Sequence, residues 1–206
     1  MRCERRVGKG GPVSLPTPLW DPGAHMSQDE RTAPEPTSTY LLILSEREAV
    51  SWVLSQQRMA FPARRRAEID RLAVGDRLIL LTTRGCWHNP TRHRTRIIGT
   101  AEVTSPVRDL DTAVTIVGRD FTRGCDLKLE RVTPYRTGVE VAPLVPELEV
   151  FPDTRPGAWA VRIRRPLVQL GRADTELLTG RLAAVAGDPA ALVPDYVEKV
   201  REAVSR

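Results

Sequence analysis

The chain has 206 residues, 41% of them hydrophobic, and a formal net charge of +5. This length suffices for one domain with a buried core and some extensions. No apolar run reaches the roughly 18 to 20 residues that span a bilayer, and no apolar stretch follows the charged N-terminus, so we expect a soluble, cytoplasmic protein. The three cysteines, Cys3, Cys86 and Cys125, are too widely spaced to indicate a disulfide framework or a zinc knuckle.

The positive charge is carried almost entirely by arginine, since only three of the 31 basic residues are lysines. Such a bias is typical of a GC-rich genome and by itself says little about function. Its distribution is more informative, because residues 58–108 hold eleven arginines and four acidic residues. This segment predicts an anion-facing surface, although a solvated arginine-rich surface without a partner remains an alternative.

Residues 1–38 are rich in proline and glycine and show no apolar period. We predict a disordered N-terminal tail there, because such a segment buries too little apolar surface to offset its ordering entropy. Met26 is an alternative translation start to Met1.

The ordered domain is predicted to begin with a buried strand at residues 40–44. Ser45 and Glu48 have the spacing of a capping box, which predicts a helix over residues 46–57 that carries Trp52. Phe61 and Pro62 end this pattern. A second short helix is expected before the Gly75-Asp76 turn, and a strand at residues 77–83 follows it.

Residues 84–95 form a basic, polar loop between that strand and a strand at residues 96–104, which predicts a long-loop hairpin. Gly99 indicates a bulge or a close backbone approach within the second strand. Further strands are predicted at residues 114–117, 127–132, 139–141 and 158–163.

The chain is predicted to become helical after Pro166, with Asp174 as the N-cap of one helix. Gly187 and Pro189 separate it from a final helix. We therefore divide the chain into a tail (1–38), a domain (39–187) and a C-terminal helix (188–206).

The order of these cues resembles the EVE domain of the PUA-like superfamily. The segments that carry the resemblance are YLLILS (40–45), MAFP (59–62), LAVGDRLILLTT (72–83) and RIIGTAEV (96–103). More distantly, the chain is similar to YTH domains, which share this architecture. The resemblance implies an α+β fold, a small mixed PUA-like β-barrel with flanking helices. It also implies a pocket for a single nucleobase, often a modified one, from DNA or RNA, and it implies recognition rather than catalysis. We expect no cofactor.

A base removed from a stack needs aromatic faces and polar groups at its edge. The candidate base-binding residues are Ser45, Trp52, Phe61, Thr83 and Trp87. Trp52 has the spacing of a core residue, and Ser45 is also explained by helix capping. Trp87 lies in a loop with no periodic reason for burial, so it is expected either to contact a ligand or to fold back onto the barrel.

The candidate phosphate-binding residues are Arg84, Arg92, Arg94 and Arg96, because guanidinium groups suit phosphate oxygens and give salt-dependent binding. A plain solvated loop is the alternative.

Three other functions stay open. A metal site could use Cys86, His88 and His93, but the spacing is atypical and we expect no metal. A small hydrolase or nuclease could use His88 or His93 with an acid such as Asp126. A protein-interaction domain could use the C-terminal helices as a dimer face.

Overall fold

The computed structural model describes residues 37–153, 155 and 157–205. The predicted disordered tail and the alternative start at Met26 lie outside the described residues, apart from residues 37 and 38. Within the described part of the chain, no helix combines the length and apolar character needed to cross a membrane.

Eight strands form a single mixed sheet, and helices cover its two faces. The strands are β1 (Thr39–Leu44), β2 (Arg58–Phe61), β3 (Arg77–Thr82), β4 (Arg96–Val103), β5 (Arg108–Ile116), β6 (Arg119–Val132), β7 (Val139–Glu140) and β8 (Leu167–Leu170). The α-helices are α1 (Arg47–Gln56), α2 (Ala67–Asp70), α3 (Arg172–Ala183) and α4 (Pro189–Val204). Two 3-10 helices cover Ala142–Glu147 and Ala158–Arg164.

The strand order is β2-β6-β4-β3-β1-β8, with β5 paired to β6 and β7 paired to β4. β1 and β3 are parallel, whereas the other pairs are antiparallel. The predicted long-loop hairpin is therefore confirmed as β3 and β4. Register shifts interrupt the pairing of β4 on both of its edges, and a Cβ atom on Gly99 would lie 2.5 Å from the carbonyl oxygen of Arg131. Gly99 thus marks both a bulge and a close backbone approach, as predicted.

Alternate residues of β1 belong to two separate cores. Leu42 and Leu44 pack with α1 and α4 on one face, whereas Leu41 packs with α3 and the 3-10 helices on the other. Burial on both faces explains why β1 is a continuous apolar run instead of an alternating one.

Two predicted helix caps are corrected by the structure. Glu46, not Ser45, is the N-cap of α1, and no side chain caps that helix. Gly171 is the N-cap of α3, so Asp174 lies within the first turn of the helix. The carboxylate of Asp174 instead accepts hydrogen bonds from the backbone N–H groups of Glu149 and Val150, both at 2.8 Å.

The strand predicted at residues 158–163 is wrong, because this segment is a 3-10 helix. Trp159 and Ile163 nevertheless both pack against the core that contains α3. Val161 is 59% exposed, so the apolar alternation does not correspond to a buried face. The helix predicted after Pro166, with its N-cap at Asp174, is present as α3, and strand β8 before it was not predicted.

Helix α4 corresponds to the predicted C-terminal helix. Asp188 caps it by accepting a hydrogen bond from the N–H of Ala190 at 3.0 Å. Tyr196 and Val200 are buried in the same core as α1, so α4 is an integral part of this face of the fold.

Candidate nucleic-acid interface

A cavity lies where β1 and β3 end. Because these strands are parallel, their carboxyl ends meet at one edge of the sheet, and the N–H of Thr83 donates to the carbonyl of Leu44 at 3.1 Å. The cavity volume is about 890 Å³, in the upper part of the range of roughly 300–1,000 Å³ found for ligand pockets. Four of the five predicted base-binding residues line it, namely Ser45, Trp52, Phe61 and Thr83.

Aromatic side chains from four elements form much of the cavity wall. Phe61, at the end of β2, is fully buried and contributes to the core as well as the wall. Trp52 on α1, Phe121 on β6 and Trp159 on the second 3-10 helix are partly exposed. The accessible aromatic faces therefore belong to Trp52, Phe121 and Trp159. Sequence reasoning missed Trp159 as a site residue because it was assigned to a strand.

Three hydroxyl side chains also line the cavity, namely Ser45, Thr83 and Thr95. None of these hydroxyls makes a hydrogen bond within the described residues, so they are available as donors or acceptors. Ser45 is free in this sense because it does not cap α1.

Trp87 does not line the cavity, so the structure does not bring it together with the other four predicted base-binding residues. It is only 5% exposed, and its ring lies 5.1 Å from Tyr135 and 6.3 Å from Tyr196. The guanidinium of Arg136 lies 5.5 Å from the centre of the Trp87 ring. At Trp87 the loop thus folds back onto the core that contains residues of α1 and α4, because burial beside two tyrosines removes a large apolar surface from water.

The predicted phosphate-binding arginines fall into two groups. Arg84 lines the cavity and is exposed, and Arg92 and Arg94 are exposed in the same loop. Arg96 is engaged within the protein, because it donates to the carboxylate of Glu140 at 2.6 Å and to the carbonyl of Arg136 at 2.7 Å. Arg96 is therefore a structural ion-pair residue in this fold.

Four further arginines line the cavity that sequence reasoning did not assign to it, namely Arg66, Arg119, Arg164 and Arg165. Arg119, Arg164 and Arg165 are exposed and form no ion pair within the described residues. They come from distant parts of the sequence, so a count of local charge missed them. Together with Arg84 they give the cavity a basic rim, defined here as Arg66, Arg84, Arg119, Arg164 and Arg165.

The residues proposed for catalysis or metal binding have other partners. His88 Nε2 lies 3.5 Å from a carboxylate oxygen of Glu46, and Asp126 pairs with Arg58 and Arg108 at 3.0 and 2.9 Å. Burial, followed by nearby arginine charges, lowers the pKa of His93. Burial raises the pKa of Cys86 far above its usual range, which disfavours the thiolate needed for metal binding or nucleophilic attack.

One other group of metal-ligand types occurs among the described residues. Ligand atoms of Glu46, Glu48 and His88 all lie within 4.8 Å of one another. The side chain of Arg47 donates to Glu48 at 3.1 Å, and both glutamates lie at the N-terminus of α1, where the helix dipole already stabilises negative charge. The charge of these carboxylates is thus neutralised in part by protein groups.

Comparison with solved structures finds proteins of similar fold. The YTH domain of the Zygosaccharomyces rouxii MRB1 protein, in complex with N6-methyladenosine RNA, matches with a TM-score of 0.51 and 16% identity, over 74% of this chain and 91% of that chain. Human THYN1 in complex with 5-methylcytosine-containing DNA matches with a TM-score of 0.45 and 11% identity, over 70% of this chain and 96% of that chain. A hypothetical protein from Leishmania major matches with a TM-score of 0.47 and 12% identity, over 72% of this chain and 96% of that chain.

No protein-family model and no curated protein matches the sequence. At this level of identity the structural similarity to the YTH domain concerns the fold. The mixed sheet with its flanking helices confirms the α+β fold that was expected from the sequence. The chain has an α+β fold similar to that of the YTH domain.

Proposed function

We propose that this protein is an EVE-type nucleic-acid-binding module, which holds a single base in the cavity and contacts the neighbouring phosphates with arginines. Modified bases are included among the candidate ligands. The observation that carries the proposal is the combination of partly exposed aromatic walls and a basic rim around one cavity.

The cavity supplies the groups that an unstacked base requires. Trp52 and Trp159 present aromatic surface, and stacking on an aromatic side chain contributes roughly 1–3 kcal/mol per base. The hydroxyl groups of Ser45, Thr83 and Thr95 are available for hydrogen bonds with the edge of the base. Because each hydroxyl both donates and accepts, these groups suit several donor and acceptor patterns.

The basic rim is suited to bind the phosphate group of a nucleotide. Arginine binds phosphate oxygens through two parallel N–H groups, and neutralising phosphates releases counterions. Binding is therefore expected to weaken as salt concentration rises. The exposed Arg92 and Arg94 lie in the loop that contributes Arg84, and they extend the basic surface beyond the cavity.

The similarity to the YTH domain supports this proposal through the fold, since that domain was solved with N6-methyladenosine RNA. Human THYN1, solved with 5-methylcytosine DNA, indicates which second modification to include in a binding panel. The EVE assignment itself rests on the sequence cues at residues 40–45, 59–62, 72–83 and 96–103.

The test is fluorescence anisotropy with short single- and double-stranded DNA and RNA, unmodified or with one N6-methyladenine or 5-methylcytosine, at low and physiological salt. Trp52→Leu is expected to weaken binding by about 5- to 150-fold, the equivalent of one lost stacking interaction. Tyr135→Leu is the matched control, because Tyr135 is also a half-buried aromatic residue but does not line the cavity. Circular dichroism checks that both variants fold.

A second pair of variants tests the basic rim. Arg164→Gln with Arg165→Gln is expected to lower both the affinity and its salt dependence. Arg162→Gln is the control, since Arg162 is exposed on the same 3-10 helix but does not line the cavity. Absence of binding to every oligonucleotide at low salt would disprove the proposed function.

A further inference from the structure

The β5–β6 hairpin ends in a two-residue turn beside the cavity. Ile116 pairs with Arg119, so Val117 and Gly118 form the turn, and their φ angles are 48° and 68°. Turns with positive φ at both central residues match the twist of a hairpin, and they favour asparagine or glycine at the first position. Here a valine occupies that position.

Val117 is in an unfavourable backbone conformation. A β-branched residue with positive φ is an outlier, because its branched Cβ crowds the backbone. The side chain is also 56% exposed, so packing within the described protein does not explain the choice of valine. Several other valines are exposed, and scattered exposed valines alone indicate nothing. Among the exposed valines, Val117 alone combines exposure with positive φ within the described residues.

The position of the turn connects it with the cavity. Ile116 before the turn, and Arg119 and Phe121 after it, all line the cavity. The tip of the hairpin therefore adjoins the cavity, although Val117 does not itself line it. Strained backbone conformations of this kind are concentrated at functional sites.

Extracting a base from a duplex leaves a gap in the base stack. Proteins that distort DNA insert apolar side chains between bases, where the side chain replaces part of the lost stacking. A compact apolar residue at the tip of a two-stranded hairpin has the chemistry and the reach for this task. Arg119, two residues later, is placed to contact a phosphate next to the gap.

We propose that Val117 is a wedge that enters the base stack of a double-stranded nucleic acid and fills the gap left when a base enters the cavity. This inference rests on the proposed function and deepens it, because it names a base-paired target. Val117 is then a positioning residue, which acts on the duplex while the cavity residues hold the base.

The test compares wild type with Val117→Gly and Val117→Asn. Both residues are compatible with positive φ, so the variants are expected to be at least as stable as wild type. The probes are labelled DNA and RNA duplexes with one N6-methyladenine or 5-methylcytosine, the same strands unpaired, and the corresponding free nucleoside monophosphates as competitors.

We expect Val117→Gly and Val117→Asn to weaken duplex binding about fivefold or more, and to change the affinity for unpaired strands and free nucleotides by less than about twofold. Val117→Leu, which retains an apolar side chain, should keep most of the duplex affinity. Val161→Ala is the control, because Val161 is equally exposed and neighbours cavity-lining Ala160, but does not itself line the cavity.

Duplex binding that is unchanged in Val117→Gly would overturn the wedge, as would wild-type binding to unpaired strands alone. Both results would leave the proposed base pocket intact. The proposed function fails in a different way, because wild type would then bind none of the probes, and Trp52→Leu would have no effect to measure.

Discussion

Asp174 is predicted to be among the most sensitive polar positions of the fold, and Asp174→Asn tests this with almost no change in shape. Its carboxylate is 1% exposed and accepts hydrogen bonds at 2.8 Å from two backbone N–H groups. Asparagine has one acceptor oxygen, so its amide group would face the second N–H. One hydrogen bond to a charged group contributes about 1.5–3 kcal/mol, and an unsatisfied buried donor adds to the loss.

We therefore expect Asp174→Asn to lower the free energy of unfolding by about 2–4 kcal/mol. For a chain of this size each kcal/mol shifts Tm by about 2–4 °C, so Tm should fall by about 5–15 °C. Urea denaturation followed by circular dichroism measures the change. The substitution should also affect the cavity, because the segment that Asp174 holds at Glu149 and Val150 leads into the 3-10 helix that carries Trp159 and Arg164.

Glu176→Gln is the control for this experiment. Glu176 lies on the same helix, but its side chain is 64% exposed and pairs with Arg172 on the surface. Such pairs contribute little, so a change below about 0.5 kcal/mol is expected. If Asp174→Asn were as mild as this control, the hydrogen bonds of the carboxylate would not be what holds the segment, and the reasoning would be refuted.

Three further predictions concern the core. Gly99→Ala should cost about 1–3 kcal/mol of unfolding free energy in denaturation experiments, because its Cβ would meet the carbonyl of Arg131; an unchanged value would contradict the close approach. Burial raises the pKa of Tyr196 to about 12. Folding therefore favours the neutral phenol of Tyr196. This contribution to stability is fully present below about pH 10, the pKa in the unfolded chain, and is lost as pH rises towards 12. Unfolding free energy measured across this window should fall less in Tyr196→Phe, and parallel curves would refute the assignment. Trp87→Ala should cost about 3–5 kcal/mol in denaturant, yet the folded variant should retain its oligonucleotide affinity, and a selective affinity loss would restore Trp87 to the binding site.

The sequence predicted the strands whose apolar character is continuous and whose turns carry glycine. β1, β3 and β4 were found because both of their faces are buried and because Gly75-Asp76 marks the turn before β3. Asp76 holds that turn, since its carboxylate accepts hydrogen bonds from the N–H groups of Ser38 and Ala73 at 2.9 and 2.8 Å. Short strands such as β2 and β8 were missed, because four residues do not establish a period.

The residues that line the candidate cavity were predicted in part, and the division has a physical reason. Ser45, Thr83 and Arg84 were found because they follow the ends of adjacent apolar strands. Trp159 and Arg119 were missed, because tertiary folding alone brings the second 3-10 helix and the β5–β6 hairpin to the same cavity. Chain position alone, without a contact map, gives no signal for such residues.

The central position of β1 also affects how the chain is made. β1 is the first strand described, yet it pairs with β3 on one edge and with β8, near the other end of the domain, on its second edge. Its apolar side chains therefore leave the ribosome long before both of their neighbours exist. Non-local pairing of this kind slows folding, and unpaired apolar strands promote aggregation. Synthesis of a truncated chain that ends before β8 is therefore expected to give an insoluble product that depends on chaperones. In the 206-residue chain, β8 pairs with the second edge of β1 and removes this exposed edge.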